Sequence, residues 1–184
     1  MNILYVHGFG SKFSGDSEKI KSLSKIGNLT GFDYDYTASP VNTVKTLKDV
    51  MIEADTDILV GTSLGGWYAA VVGSKLGVPF VSINPAIDPV NSLSNYVGNG
   101  ADHYGRGYYL DPENVADYNL FEFPTNGHGI ALIDMGDEVI NPNAINEINP
   151  LFAVHSFEGG SHRFEHMEES LPLIVGMYGR ALAG

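Results

Sequence analysis

Short apolar runs alternate with longer polar or amphipathic stretches along the chain. Runs rich in β-branched residues and closed by glycine or turn residues are typical of buried strands. A further segment, Phe32–Thr37, alternates aromatic and polar residues with the period of two that a half-buried strand shows. The five buried-type strands are predicted at Ile3–Val6, Ile58–Val60, Phe80–Ile83, Ile130–Ile133 and Phe152–Phe157.

The segments between the predicted strands favour helices. Apolar residues recur at helical spacing over Val41–Met51, and the small-residue stretch Trp67–Leu76 ends at Gly77, which suits the residue after a helix. Further helices are predicted over Ser17–Lys25 and Arg163–Tyr178. Strands that alternate with helices indicate an α/β fold, a mostly parallel sheet with helices on both faces. Ligands bind at the carboxyl ends of the strands in such folds.

Residues 88–123 differ from the rest of the chain. They hold seven aromatic residues, six acidic residues and one basic residue, and four glycines interrupt any periodicity. We interpret this segment as an insertion within a single domain that spans residues 1–184, and not as a separate domain.

Composition excludes several classes of function. The chain has 184 residues, a net charge of −12 and no cysteine, which excludes disulfides, thiolate metal sites and a cysteine nucleophile. Residues 93–184 carry three basic and thirteen acidic residues, so this half is expected to repel nucleic acids and anionic membranes. No apolar run reaches the ~18 residues of a membrane helix. The N-terminus shows no secretory signal, so a cytoplasmic location is expected.

The strongest chemical motif is Gly61–Gly65, which reads G-x-S-x-G. It follows a predicted strand and precedes a predicted helix, which is the context that a nucleophile elbow requires. In that context Ser63 is the nucleophile and the backbone N–H of Leu64 faces the group that Ser63 attacks. The other interpretation is a glycine-rich strand–helix turn with an incidental serine.

A second glycine-flanked loop, His7–Ser11, follows the first strand. An acyl-transfer site needs a second donor for the oxyanion, and we expect the N–H of Phe9 to supply it, with Gly10 as the alternative. His7 is expected to shape this loop. A phosphate-binding loop is excluded because the segment has no G-K-[ST] sequence.

A serine nucleophile needs a base, and six histidines compete for that role. His162 is favoured because it lies in a glycine-rich loop after the last strand, from which it can reach Ser63. His155 lies inside a predicted strand and His128 at the wrong end of the sheet. His103 lies in the insertion and is a candidate pocket residue. A metal pair of His162 and His166 would lack an evident third ligand.

A carboxylate must hold the histidine in the correct tautomer. Asp137 is favoured because it lies in the turn after Gly136, where its carboxylate can point at His162. Asp134, closer to the strand, is the alternative. The order serine, aspartate, histidine is that of the α/β-hydrolases and differs from the chymotrypsin and subtilisin orders.

These motifs together resemble the α/β-hydrolase superfamily, and within it the small YqiA-like esterases. The resemblance spans nearly the whole chain and rests on residues 5–11, 61–69, 84–86, 136–139 and 160–164. It implies a three-layer fold with a reduced sheet, a triad of Ser63, Asp137 and His162, and an oxyanion hole formed by Phe9 and Leu64. It also implies that residues 88–123 form a small cap.

The expected function is hydrolysis of carboxylic esters with small or apolar acyl groups, without a metal or cofactor. Thioester hydrolysis or acyl transfer on the same triad, and ligand binding without catalysis, are the alternatives. The acidic insertion argues against coenzyme A thioesters, whose phosphates require basic residues. The expected partner is a small ester, and the sequence leaves a monomer and a dimer equally open. Candidate pocket residues are His7, Gly10, Trp67, His103 and Tyr108.

Overall fold

Six parallel strands form the central sheet of the structure, a computed structural model that describes residues 1–183. The strands of the chain are β1 (Asn2–Val6), β2 (Asn28–Phe32), β3 (Ile58–Thr62), β4 (Phe80–Ile83), β5 (Gly98–Ala101), β6 (Gly107–Leu110), β7 (Gly129–Asp134) and β8 (Ala153–Phe157). Neighbours in the sheet follow the order β2-β1-β3-β4-β7-β8, whereas β5 and β6 form a separate antiparallel hairpin. All five pairings in the six-stranded sheet are parallel, as expected.

Helices cover the two faces of the sheet. They are α1 (Glu18–Leu23), α2 (Pro40–Glu53), α3 (Leu64–Leu76), α4 (Pro89–Leu93), α5 (Pro112–Ala116), α6 (Ala144–Glu147) and α7 (Met167–Ala183). Alternate side chains of β1 point to opposite faces of the sheet. Leu4 and Val6 join the core under α2 and α3, while Ile3 and Tyr5 join the core under α1 and α7. Burial of a Leu, Ile or Val side chain contributes about 1.5–3 kcal/mol relative to exposure.

The five strands predicted from apolar runs are present, although the last of them, β8, is a half-exposed edge strand and is not buried. The strand predicted at Phe32–Thr37 is wrong. The strand β2 ends at Phe32, and the residues after it form a loop. The side chain of Asp35 accepts the N–H of Thr37, which makes a turn. The aromatic alternation has a different cause: the ring of Tyr34 stacks on His7 at 4.5 Å, and Tyr36 packs against a neighbouring loop.

The last helix begins four residues later than predicted. Phe164 has φ 62°, a left-handed conformation that cannot continue a right-handed helix. The helix α7 therefore begins at Met167, and residues 163–166 remain free to form a loop at the carboxyl edge of the sheet.

Residues 88–123 pack onto the same core as α3. Besides α4, α5 and the β5–β6 hairpin, they form two short 3₁₀ turns at Ser94–Tyr96 and Asp117–Leu120. Leu93, Leu110 and Tyr118 from this segment are buried in the cluster that also holds Trp67. No helix among residues 1–183 has the length and apolar character that crossing a membrane requires.

Candidate active site

The serine of the Gly61–Gly65 motif lies in the tight turn between β3 and α3. Ser63 has φ 57° and ψ −121°, and a non-glycine residue held in such a region costs roughly 1–3 kcal/mol. Backbone hydrogen bonds hold it there. Its N–H donates to the carbonyl of Ile83 at 2.9 Å, and its carbonyl accepts the N–H groups of Trp67 and Ala86. The side chain therefore stands at the carboxyl edge of the sheet, where α3 begins.

Two glycines make this turn possible. A Cβ on Gly61 would overlap the backbone of Gly65, and a Cβ on Gly65 would overlap the carbonyl of Val6. The spacing of the motif thus has a steric cause, since β1, β3 and α3 approach too closely for side chains at these positions. Gly8 is also close, because its Cβ would lie 3.2 Å from the Cβ of Ser63.

His162 lies between Ser63 and Asp137. Its Nε2 is 3.1 Å from the Oγ of Ser63, and its Nδ1 is 2.8 Å from the Oδ2 of Asp137. The other oxygen of Asp137 accepts the backbone N–H groups of Val139 and Ile140, each at 2.8 Å. These bonds fix the carboxylate in the turn after β7. The structure thus brings together the three residues that the sequence assigns to a triad.

The environment of Asp137 keeps its carboxylate ionised. Burial raises its pKa, but the hydrogen bonds from His162, Ile140 and Val139 outweigh burial and leave the pKa below its ordinary value. An ionised carboxylate holds the proton of the imidazole on Nδ1. The Nε2 atom of His162 is then free to accept the proton of the Ser63 hydroxyl.

A second aspartate–histidine pair lies beside the first. Asp134, the alternative acid, is fully buried and its Oδ1 is 2.7 Å from the Nδ1 of His166. Its Oδ2 accepts the backbone N–H groups of Ser161 and Glu165, on either side of His162. Asp134 therefore binds the backbone of the histidine loop and does not contact the His162 ring.

Asn84 also holds this loop, although the sequence analysis assigned it no role. Its side-chain oxygen accepts the N–H of Asp134 at 2.8 Å, and its side-chain nitrogen donates to the carbonyl of Ser161 at 3.0 Å. Asn84 has φ 40°, which is uncommon outside glycine but tolerated by asparagine. Its place directly after β4 and before a proline was the available signal.

The backbone N–H groups of Leu64, the first residue of α3, and of Phe9 and Gly10, in the loop after β1, have no acceptor within residues 1–183. This loop passes Ser63 at Gly8, where a Cβ would lie 3.2 Å from the Cβ of Ser63. Gly10 has φ 66°, and its carbonyl accepts the N–H of His103 at 3.3 Å. Backbone N–H groups without an internal acceptor are what an oxyanion hole requires.

A basic residue lies behind the elbow, on the α1 side of the sheet. The ammonium group of Lys19 donates to the Oγ1 of Thr62 at 3.1 Å, and the hydroxyl of Tyr5 lies 2.9 Å from the same atom. Burial lowers the pKa of Lys19 to about 8, against the opposing effect of the nearby Asp134 carboxylate. Burial raises the pKa of Tyr5 to about 12.

The model of an uncharacterised protein family, UPF0227, matches residues 2–178. The chain belongs to this family. A UPF0227 protein from Vibrio parahaemolyticus is 25% identical over 178 residues, which cover 92% of this chain and 94% of the relative. A UPF0227 protein from Vibrio atlanticus is 26% identical over 176 residues. The family affiliation expected from the motifs is confirmed.

Solved structures confirm the α/β-hydrolase fold of this UPF0227 member. Est1E from Butyrivibrio proteoclasticus superposes with a TM-score of 0.76 at 15% identity, covering 100% of this chain and 88% of Est1E. A monoacylglycerol lipase from Paleococcus ferrophilus superposes with a TM-score of 0.71 at 15% identity, covering 97% of this chain and 94% of the lipase.

An open cleft of about 540 Å³ lies beside the loop after β1. Of the candidate pocket residues, His7 and Tyr108 line this cleft, together with Lys12 and Arg106. Ser63, Asp137 and His162 do not line it. His7 is nevertheless almost completely buried, and burial lowers its pKa despite the hydrogen bond to the Gly8 carbonyl. Its main contacts are therefore within the protein.

The other candidate pocket residues do not line this cleft. Trp67 was expected at the pocket but is a core residue with 0% exposure. Its ring packs against Tyr68, Tyr118 and Phe121 at centroid distances of 5.0–5.7 Å, and its Nε1 has no hydrogen-bond partner among the described residues. Gly10 and His103 contact each other in the seam between the loop after β1 and the β5–β6 hairpin.

The described residues include no group of three or more histidine, cysteine, aspartate or glutamate side chains placed to hold a metal ion. His162 and His166, which are four residues apart, each bind a different aspartate. Their rings belong to separate hydrogen-bonded pairs.

Proposed function

We propose that this UPF0227 member is a serine hydrolase that cleaves carboxylic esters. The observation that carries the proposal is the continuous set of contacts from Asp137 through His162 to Ser63, at 2.8 Å and 3.1 Å. A serine is a weak nucleophile without a base, and a base within hydrogen-bond reach and oriented by a carboxylate supplies the missing activation. The strained turn at Ser63 supports the same role, since such strain concentrates at active sites.

The reaction begins when the Oγ of Ser63 attacks the ester carbonyl carbon. His162 accepts the hydroxyl proton on Nε2, and the ionised Asp137 stabilises the resulting imidazolium. Collapse of the tetrahedral intermediate breaks the bond to the leaving alkoxy oxygen, which takes the proton from His162. Water then attacks the acyl-enzyme with the same proton transfers and releases the carboxylic acid.

The N–H groups of Phe9 and Leu64 are the proposed oxyanion donors. Neither donates to an acceptor within residues 1–183; Leu64 directly follows Ser63, and Gly8, the residue before Phe9, packs against Ser63. They would bind the carbonyl oxygen as it acquires negative charge. Loss of one such donor typically lowers kcat by about 10²–10³-fold.

Small or apolar acyl or aryl esters are the proposed substrates. The support is the aromatic content of residues 88–123, since the seven aromatic side chains of this segment suit an apolar or aromatic group. The names of the structural neighbours, an esterase-type protein and a monoacylglycerol lipase, agree with ester chemistry. The excess of acidic residues in 88–123 disfavours polyanionic thioesters such as acyl coenzyme A.

A panel of p-nitrophenyl esters from acetyl to dodecanoyl tests the proposal, with Ser63→Ala as the matched control. We expect turnover by the parent and none above background by the variant. A parallel thioester series and added methanol as acceptor distinguish hydrolysis of esters from thioester hydrolysis and acyl transfer. Saturable binding of esters without turnover by the folded parent would instead support a ligand-binding protein.

A further inference from the structure

The side chain of Phe9 lies among three tyrosine rings. The ring centroids of Tyr36, Tyr96 and Tyr108 lie 5.1, 5.2 and 5.4 Å from that of Phe9, in edge-on or tilted geometry. We call these three tyrosines the tyrosine cage. Tyr96 and Tyr108 belong to the 88–123 segment, whereas Tyr36 belongs to the loop after β2. The cage therefore joins the insertion to the loop that carries a proposed oxyanion donor.

The cage is itself held by Asp102, in the turn of the β5–β6 hairpin. One oxygen of Asp102 accepts the backbone N–H groups of Tyr104 and Arg106, and the other accepts the hydroxyl of Tyr36 and the Nε of Arg106. Burial raises the pKa of this carboxyl, but the hydrogen bonds outweigh burial and lower it to about 2. Asp102 thus fixes the hairpin turn against Tyr36 as an ionised group.

A second contact joins the hairpin to the same loop. The N–H of His103 donates to the carbonyl of Gly10 at 3.3 Å, one residue after Phe9. Tyr108 is also restrained from its own hairpin, because its ring lies over its cross-strand partner Gly100, where a Cβ would overlap the ring. The hairpin therefore contacts the loop at the side chain of Phe9, the residue that carries the proposed donor, and at the carbonyl of the next residue.

We propose that the β5–β6 hairpin and the 3₁₀ turn before it position the oxyanion loop: Tyr96, Tyr108 and Asp102 hold the Phe9 N–H toward the carbonyl oxygen of the substrate. This inference rests on the proposed function and extends it, since it gives the insertion a part in the chemical step besides substrate selection. The three residues are positioning residues, because they act through Phe9. A donor displaced by a fraction of an ångström stabilises the transition state less, while substrate binding in the ground state changes little.

The test compares Tyr108→Leu with Tyr108→Phe, and with Tyr104→Leu as a control on an exposed tyrosine of the same hairpin. If thermal unfolding shows that Tyr108→Leu does not fold, Phe9→Leu and Asp102→Asn replace it in the test. Each of them is expected to displace the Phe9 N–H in the same way. We measure kcat and KM on a p-nitrophenyl ester, and the inhibition constant of an alkyl boronic acid, whose adduct with Ser63 mimics the tetrahedral intermediate.

For Tyr108→Leu we expect kcat to fall by at least about tenfold, while KM stays close to the parent's. The decrease in kcat should be smaller than the ~10²–10³-fold decrease that complete loss of a donor causes. The boronic acid inhibition constant should rise by the same factor. Tyr108→Phe keeps the ring and should recover most of the kcat that Tyr108→Leu loses. Tyr104→Leu should behave like the parent, because Tyr104 lies outside the cage.

Three results would overturn the inference. A rise in KM of Tyr108→Leu with kcat unchanged would mean that the cage only contacts the bound substrate. Equal kinetics of Tyr108→Leu and Tyr104→Leu would make it an ordinary packing contact. A parent that neither hydrolyses esters nor binds the boronic acid would remove the proposed function, and this outcome is recognised on the parent before any variant is compared.

Discussion

Two aspartate–histidine pairs lie side by side at the carboxyl edge of the sheet. Asp137 binds His162 at 2.8 Å, and Asp134 binds His166 at 2.7 Å, in both cases through Nδ1. The difference lies on the far side of each ring. The Nε2 of His162 faces Ser63, whereas the ring of His166 stacks on Phe157 at 5.0 Å and its Nε2 has no hydrogen bond within residues 1–183.

The comparison shows that an aspartate–histidine contact does not by itself define a catalytic group. The oxygen of Asp134 that does not contact His166 accepts backbone N–H groups on both sides of His162. The Asp134–His166 pair therefore shapes the loop that carries His162. We therefore propose that Asp137 and His162 take part in proton transfer, and that Asp134 and His166 hold the loop in place. Four predictions concern these two pairs, and the one with the largest expected effect comes first.

Replacement of the histidines should separate the pairs most clearly. His162→Gln removes the proposed base, and we expect kcat for ester hydrolysis to fall by roughly 10⁶-fold, the scale found for loss of the histidine in a serine protease. His166→Gln should leave kcat close to the parent's, because no reacting atom contacts this ring. Steady-state kinetics on one ester measure both variants. Similar losses in the two would contradict the assignment.

Replacement of Asp137, the proposed partner of His162, should have the next largest effect. Asp137→Asn keeps the size of the side chain but removes the charge that sets the tautomer of His162, and we expect kcat to fall by about 10⁴-fold. Its melting temperature should change little beside that of Asp134→Ala. If Asp134→Ala lowered kcat by as much as Asp137→Asn at a temperature where both are folded, the roles of the two acids would not be distinct.

Asp134→Ala should instead destabilise the protein. It leaves two backbone N–H groups without their acceptor, and a buried donor left unsatisfied costs about 1–3 kcal/mol. For a domain of this size the melting temperature should fall by roughly 2–12 °C. Differential scanning calorimetry measures the change, and a melting temperature equal to the parent's would exclude the architectural role.

The smallest expected effect is a pH dependence of stability. The hydrogen bond to Asp134 is the main cause that raises the pKa of His166 in the folded protein. A raised pKa means that the folded state holds the proton more tightly, so the gain is complete below the unfolded value of about 6.5 and is lost as pH rises through the folded pKa. The melting temperature of the parent should therefore exceed that of His166→Gln by more at pH 5.5 than at pH 8.5. An equal difference at both pH values would contradict this linkage.

The fold was predictable where local rules determine it. Buried parallel strands leave continuous apolar runs, and the elbow needs glycines at positions 61 and 65 for steric reasons that the sequence displays. The edge strand β2 was misplaced because Asn28–Phe32 is half exposed and carries little apolar signal. The nearby tyrosines imitate a strand pattern, but their spacing reflects packing against His7 and Phe9.

The sequence predicted which three side chains lie together in the candidate site, but not the residues that support them. Loop position distinguished His162 from the other histidines, whereas the tasks of Asp134 and His166 depend on contacts that no local pattern records. Trp67 follows the elbow, yet its place in the core is decided by Tyr118 and Phe121, about fifty residues later in the chain. The tyrosine cage likewise joins segments far apart in sequence.

The most direct test of the central claim is the intact mass of the protein after incubation with a fluorophosphonate, which reacts with activated serines. The account predicts one adduct on the parent, located on Ser63 by peptide mapping, none on Ser63→Ala, and strongly slowed labelling of His162→Gln. His166→Gln should be labelled like the parent. A folded parent that gains no adduct, or that gains it at a serine other than Ser63, would contradict the proposal that Asp137 and His162 activate Ser63.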